Sequence, residues 1–315
     1  MNNKRIITII IPCFNEGSNI DKLINSLMGE IKNIENYNFD LLFVDDGSID
    51  NTYEKIKNIC ISKKNVKCIK LSKNFGFHIA ISAGIDFIEN SDSIIILPAD
   101  MQEPASLIHK MIKEKEKGND IVWSIRKIRK LNFINSLFTK LFYKLFIKLT
   151  GFHDYPKEGP SAFFLINKQI YTNFKRFKEG NRMTNIMIFS MGFKQATVSY
   201  DEQERSSGSS SYTLIKKIKI AIDSIVSFSY APIRFISLIG SLIALISFIY
   251  MVITLYEYFI SNITIPGYTT LLIVILFLGG IQLLTLGILG EYLWRNSLES
   301  KKRPLYYISD KINFN

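Results

Sequence analysis

Four short stretches of this chain hold side chains able to bind or activate a ligand: IPCFNE at 11–16, VDDGSIDNT at 44–52, KNFGFHIAISAG at 73–84 and PADMQEP at 98–104. Each ends or follows an apolar run, so a buried strand delivers polar groups at its carboxyl end. The groups are mostly acids and amides: Asn15 and Glu16, Asp45 and Asp46, Asn74 between Lys73 and Gly76, then Asp100 and Gln102. Oxygen ligands of this kind suit Mg2+ or Mn2+, hard cations that keep waters and phosphate oxygens in their shell. They also suit the hydroxyls of a ribose and the polar edge of a base. No GxGxxG follows the first strand and no P-loop is present, so a dinucleotide fold and a P-loop nucleotidase have little support. Cys13, Cys60 and Cys68 have neither metal nor redox spacing and are expected as reduced core residues. His78, His109 and His153 are expected as ordinary core or surface residues.

The elements that must position these groups are legible up to about residue 125. RIITIIIP is a buried strand, SNIDKLINSLMGEI a helix with Ser18 as its cap, and FDLLFVDDG the next strand. A helix follows over Asn51 to Ile61, then the strand NVKCIKLS, the helix HIAISAGIDFIE and the strand SIIILPAD. Strands alternating with helices predict an α/β fold with a mainly parallel sheet. Ligands of such sheets bind outside the carboxyl ends of the strands. All four polar stretches lie at those ends.

The rest of the chain has a different character. Of its 315 residues, 47% are hydrophobic, and the net charge is +11. Phe235 to Tyr256 is 22 residues without a charge, and Thr269 to Leu289 is 21 more. At 1.5 Å per residue each is long enough to span a bilayer. Lys216, Lys217, Lys219 and Arg234 precede the first run, Arg295, Lys301, Lys302 and Arg303 follow the second, and the connection between them has no Lys or Arg. The positive-inside rule then places both flanks in the cytoplasm. The amino terminus runs directly into a strand pattern and is no signal peptide. Asn132 to Leu149 and Thr213 to Arg234 mix apolar residues with spaced lysines, as helices at a lipid headgroup surface do. The expected organisation is a cytoplasmic domain over 1–212, an interface helix over 213–234, and two transmembrane helices within 235–290 (about 235–256 and 269–289). A cytoplasmic tail over 291–315 completes it. Gly279, Gly280, Gly287 and Gly290 offer close-packing faces for a homo-oligomer. No nucleic-acid partner is expected.

Read in order, IPCFNE, VDDGSIDNT, KNFGFHIAISAG and PADMQEP resemble the family-2 glycosyltransferases, whose nucleotide-sugar-binding α/β domain is called GT-A. The run ERSSGSSSYTLIKK, then DSIVSFSYAPIR and two apolar runs, resembles the polyprenyl-phosphate group of that family, which contains dolichol-phosphate mannose synthases and bactoprenol glucosyltransferases. The resemblance implies inverting transfer of a sugar from a nucleoside-diphosphate sugar, a UDP-sugar by preference, to a polyprenyl phosphate at the cytoplasmic membrane face. It implies that Pro12, Asn15 and Glu16 border the nucleotide, Asp45 meets the base, and Asp46 lies near the ribose or metal. Lys73, Asn74 and Gly76 complete the donor site, and Asp100 and Gln102 meet a divalent cation, Mg2+ or Mn2+. Arg126 is similar to a family arginine near the acceptor phosphate. Arg205, Gly208 and Ser210 match an R-x-x-G-x-S loop that closes over phosphates.

Three positions depart from the family. Pro98 stands where relatives carry the first of two acids, so metal binding should be weaker or less selective. Ser209 replaces a common lysine, which leaves Arg205 more of the phosphate contact. Ala162 aligns near an acid proposed as the base, leaving Asp154 and Glu158 as candidates out of register. A phosphate monoester has its second pKa near 6 and is largely ionised at neutral pH, so a lipid-phosphate acceptor needs alignment more than a base. Transfer to a lipid-linked glycan or glycolipid, and a non-catalytic scaffold in an export complex, are the rival expectations.

Overall fold

The structure is a computed structural model. It describes residues 4–127, 144–156, 160–177, 179–180, 182–201, 267–301 and 303–314, with further scattered residues between 238 and 256. Eight strands form one sheet: β1 (Arg5–Cys13), β2 (Tyr37–Asp45), β3 (Val66–Leu71), β4 (Ser93–Ile96), β5 (Ile121–Arg126), β6 (Phe164–Asn167), β7 (Gln195–Tyr200) and β8 (Ile308–Ile312). The helices named here are α1 (Ile20–Ile31), α2 (Thr52–Ser62), α3 (Phe77–Asp86), α4 (Leu107–Glu116), α5 (Lys168–Phe174), α6 (Thr184–Phe189) and α7 (Tyr268–Ser300).

The strand order is β7-β5-β6-β4-β1-β2-β3-β8. β1 is central, and Ile7, Ile9, Ile10 and Ile11 are fully buried because helices cover both faces. Pairings β1–β2, β1–β4, β2–β3 and β5–β7 are parallel. β4–β6, β5–β6 and β3–β8 are antiparallel, so the sheet is mixed. β1 leads through α1 to β2 on one side, while β3 leads through α3 to β4 on the other. The crevice beyond the end of β1 is therefore a topological switch point.

Local sequence explains these elements. In α1 the buried residues are Ile20, Leu23, Ile24, Leu27 and Ile31, the spacing of one helical face. Gly84 of α3 sits on the sheet so closely that a Cβ there would lie 2.5 Å from Ile10. Ser18 is not the cap of α1. Asn19 takes that position without a side-chain cap bond, because the Glu16 carbonyl accepts the Asn19 and Ile20 N–H groups and the Asn19 amide donates to the Glu16 carboxylate. All three cysteines are free and buried.

Two compact units divide the chain: Met1–Ala221 together with Arg303–Asn315, and Ile222–Lys302. The segment read as a tail over 291–315 thus has two fates. α7 continues to Ser300, and the last residues return to the sheet. Asn313 has a left-handed backbone (φ 62) and donates to the carbonyls of Val66 at 2.7 Å and Cys60 at 2.8 Å. It clips the chain end onto β3 and α2.

In the second unit α7 has 33 residues and includes the uncharged run 269–289. Counting described residues alone, no helix is long and apolar enough to cross a membrane. Among the described residues, all but five of the exposed large hydrophobic side chains lie between Leu238 and Leu293. Most of 235–256, and residues 132–143 and 213–234 of the two lysine-spaced segments, lie outside the described residues.

Asn313→Ala is expected to lose these bonds and strain a left-handed position, at about 2 kcal/mol together. That corresponds to a melting temperature lower by roughly 4–8 °C for a unit of this size, read by thermal unfolding of the full chain in detergent.

Candidate active site

A cleft of about 400 Å3 opens at the switch point, lined by groups from several strand ends. Pro12, Cys13, Phe14 and Glu16 come from β1 and its loop, Asp46 follows β2, Asn74 and Gly76 follow β3, and Pro98 and Asp100 follow β4. Phe77 and Ala80 of α3 close the floor. The size suits a small organic ligand.

Asp46 organises the cleft. It is only 3% exposed, and its two oxygens accept hydrogen bonds from the backbone N–H groups of Phe75 (2.7 Å) and Gly76 (2.8 Å). Burial raises its pKa, while the two N–H bonds counter that and the Asp45 charge adds to it. Beside it Gly47 has φ +70, and a Cβ there would lie 2.4 Å from the Lys73 carbonyl carbon. Only glycine allows the β2 and β3 loops to meet backbone to backbone at this point. The Lys73 ammonium lies 5.2 Å from the Phe75 ring centre.

Asp45 is fully buried. Its Oδ1 accepts from the Ser48 N–H at 3.3 Å, and its Oδ2 is buried with no hydrogen-bond partner among the described residues. Burial raises its pKa, with the Ser48 bonds opposing. A buried acceptor oxygen left without a donor is costly unless a ligand supplies one.

Asn15 ties the first loop to the second. Its backbone is left-handed (φ 56), a conformation asparagine tolerates, and its N–H donates to Ser48 Oγ at 2.9 Å. Its side-chain oxygen accepts from the Ile49 N–H at 3.0 Å. Asn15 is therefore a loop brace, while its neighbours Pro12 and Glu16 line the cleft.

Asp100 enters the cleft from a strained turn. Met101 has φ 58, left-handed for a side chain that ordinarily avoids it, at a cost of about 1–2 kcal/mol. The Gln102 N–H donates to Asp100 Oδ1 at 3.2 Å. No group of three or more His, Cys, Asp or Glu among the described residues is placed to enclose a metal. Asp46 spends both oxygens on the loop, and Glu16 accepts from Asn19, which leaves Asp100 as the carboxylate best placed for a cation. Mg2+ and similar ions are commonly held by one or two carboxylates plus substrate phosphates, so the donor set fits a cation that arrives with a diphosphate.

The remaining expected residues divide. Arg126 ends β5, on the same rim as Asp100, and its Nε donates to the Tyr200 hydroxyl at 3.3 Å. Asp154 is not at this site. It lines a separate cleft with His153, Phe189 and the start of β7, at the opposite rim of the sheet, because the antiparallel β6 makes β5 and β7 run with β4. Glu158, Arg205, Gly208 and Ser210 lie outside the described residues. His78 is half-buried, has its pKa lowered to about 4 by desolvation of its ring, and pairs with Thr184 Oγ1 at 3.1 Å. It is a neutral core residue.

Two buried charged residues have no place in the sequence reading. Arg182 donates to Ser82 Oγ at 2.9 Å and to the carbonyl of Glu179 at 3.1 Å, bracing the loop before α6. Glu103 is 7% exposed, directly after Gln102, and accepts from the Tyr200 and Ser161 hydroxyls. Its place in PADMQEP is visible in the sequence. Its partners, roughly 60 and 100 residues later, are not.

Gly47→Ala is expected to push apart the two loops and lower stability by about 2–3 kcal/mol, the range of a steric clash at a constrained backbone position. Thermal unfolding checks it, and Gly29→Ala, where an added Cβ meets nothing, is the control.

The model of glycosyl transferase family 2 matches residues 8–197. CsbB of Bacillus subtilis (strain 168), provisionally named a glycosyltransferase, is 36% identical over 305 residues, covering 97% of this chain and 92% of its own. The prophage bactoprenol glucosyl transferase homolog of Escherichia coli (strain K12) is 32% identical, covering 96% of this chain and 98% of its own. Among solved structures, glucosyl-3-phosphoglycerate synthase from Mycobacterium tuberculosis, in complex with Mn2+, UDP and phosphoglyceric acid, has a TM-score of 0.50 at 15% identity. It covers 71% of this chain and 78% of its own, a likeness of fold. The mixed α/β sheet is of the GT-A kind, and the chain is a glycosyltransferase that belongs to glycosyl transferase family 2.

Proposed function

We propose that this glycosyltransferase moves a sugar from a nucleoside-diphosphate sugar, a UDP-sugar by preference, to a polyprenyl phosphate at the cytoplasmic face of a membrane. The observation that carries the donor half is the single cleft lined by Pro12, Glu16, Asp46, Asn74, Gly76 and Asp100 at the switch point. The acceptor half draws on relatives named bactoprenol glucosyl transferase, which match along 96–97% of this chain.

In this reading the unpartnered Asp45 Oδ2 accepts an N–H of the base. Asp46 holds the 73–76 loop closed around the nucleotide. Asp100 and Gln102 face the diphosphate with its divalent cation, as Mn2+ accompanies UDP in the solved glucosyl-3-phosphoglycerate synthase. The cation supplies charge neutralisation of the leaving diphosphate. Arg126, with Arg205, receives the acceptor phosphate. A phosphate oxygen attacks the anomeric carbon, the bond from that carbon to the diphosphate breaks, and the diphosphate leaves with the electron pair. Configuration inverts. The attacking oxygen of a phosphate dianion carries no proton, so the absence of an acid at Ala162 is no obstacle.

Membrane attachment through 235–256 and 269–289 is supported by their uncharged length and by the exposed apolar side chains of the second unit. The first unit contains both Met1–Ala221 and Arg303–Asn315. A chain that leaves this unit and returns to it crosses a bilayer an even number of times. That agrees with a two-helix hairpin, both ends cytoplasmic, and with the lysines and arginines of both flanks.

The test incubates the full chain in nanodiscs with undecaprenyl phosphate and a panel of UDP-, GDP- and dTDP-sugars, with Mg2+, Mn2+ or EDTA. Mass spectrometry then looks for lipid-phosphate sugar. A metal-dependent product from one donor is expected, and product on a lipid-linked glycan instead would replace the acceptor. Asp100→Ala is expected to lower turnover at least about 100-fold, the scale of a lost transition-state electrostatic contact. Full activity in that variant would sink its metal role. Because burial raises the Asp46 pKa, donor binding is expected to weaken on acidification above the ordinary carboxylate range, as protonation removes an acceptor from the loop. Calorimetric titration of UDP against pH measures this.

A further inference from the structure

Glu103 is a buried acid that the donor cleft does not use. It is absent from the cleft lining and lies behind the Asp100 turn. Its Oε1 accepts from the Tyr200 hydroxyl at 3.1 Å and from the Ser161 hydroxyl through a short bond. Tyr200 is 2% exposed, and its oxygen in turn accepts from Arg126 Nε at 3.3 Å. The chain of bonds therefore runs from Arg126 through Tyr200 to Glu103, with Ser161 as the second support. It joins the ends of β5 and β7, the start of β6 and the turn after β4.

Packing alone does not call for a carboxylate here. A buried acid carries a desolvation cost that an apolar group of similar size avoids. Burial indeed raises the Glu103 pKa, with the Asp100 charge adding and the two hydroxyls and Arg126 opposing. Glu103 thus feels the acid of the donor side and the arginine of the acceptor side together. A hydroxyl that donates to a carboxylate becomes a better acceptor, so Glu103 strengthens the hold of Tyr200 on Arg126. An arginine tied at Nε has the plane of its guanidinium fixed, which is what phosphate recognition requires.

We propose that Glu103 and Tyr200 are positioning residues for the acceptor: together they fix the Arg126 guanidinium at the cleft rim in the orientation that receives the acceptor phosphate. The proposal rests on the reading of Arg126 and of a phosphate acceptor given above. Glu103 does not touch substrate and is not the base. Its hydrogen-bonded route to Arg126 runs through the tyrosine.

The experiment uses the full chain in nanodiscs, with undecaprenyl phosphate, the donor sugar that wild type accepts, and UDP titrated separately. Wild type, Tyr200→Phe, Glu103→Gln, Arg126→Lys and the Tyr200→Phe/Arg126→Lys double variant are compared. Tyr200→Phe keeps the ring and removes the bridge. It is expected to raise KM for the lipid phosphate about 10-fold, the effect of one hydrogen bond, while the Kd for UDP stays within about twofold. Glu103→Gln is expected to change the same parameter in the same direction. The double variant is expected to be no worse than Arg126→Lys alone, because both changes cut one chain of bonds. An unchanged acceptor KM in Tyr200→Phe, additive effects in the double variant, or equal losses of UDP and acceptor binding would each overturn the proposal. If wild type makes no lipid-phosphate sugar, the functional reading itself fails and this proposal falls with it. Wild-type product alongside an indifferent Tyr200→Phe overturns the positioning role alone.

Discussion

The cleft depends on one buried carboxylate. Asp46 sits at the end of β2, yet its two oxygens are spent on N–H groups of the loop after β3. Those groups have no strand partner where the loop turns toward α3, and without Asp46 they would be part-buried donors seeking one. The glycine beside it lets the two loops meet at backbone distance, and Asn15 pins the β1 loop to the same place. Three loops are thereby locked into one wall. The fourth side, the Asp100 turn, is held differently, by backbone strain at Met101 and by the buried acid three residues on. One wall is over-determined by hydrogen bonds and the other is under tension, a division suited to a site that must hold a nucleotide still while chemistry proceeds beside it.

Much of this was legible in the sequence because it is local. Apolar runs of strand length followed at once by acids give the strands, their direction and the rim. β1, β2 and β4 appear where the runs RIITIIIP, FDLLFVDDG and SIIILPAD place them. The role of Asp46 was only half legible. Its position in the cleft follows from its place at a strand end, but its partners come from another loop about 30 residues away. Asp154 lies away from the cleft for a related reason. Proximity along the chain to GPSAFF says nothing about the rim: β6 begins at the donor rim, but Phe152 and Tyr155 pack on Phe189 and hold Asp154 beside the start of β7.

The polar pairs that escaped notice are those of long range. Ser161 and Tyr200 look like ordinary loop and strand residues, and only the antiparallel β6 and parallel β7 bring them to Glu103. The same holds for the end of the chain. ISDKI has weak strand character beside KKRPLYY, yet its backbone pairs with β3, Tyr53 bonds to Asp310, and Tyr306 donates to Asp86 at 2.9 Å. Edge pairing is decided by an available row of backbone groups more than by side-chain pattern.

That last strand has a consequence for biosynthesis. β8 (Ile308–Ile312) is made long after β3 (Val66–Leu71), the strand whose edge it covers. Until then the outer edge of β3 has no neighbour, although the rest of its sheet can already assemble. An uncovered strand edge is a template for pairing with other chains. A nascent chain stalled or clipped before Ile308 would present that edge, whereas a chain that includes β8 hides it. Closing the sheet with a strand so distant in the chain makes synthesis of β8 itself the step that removes an aggregation hazard.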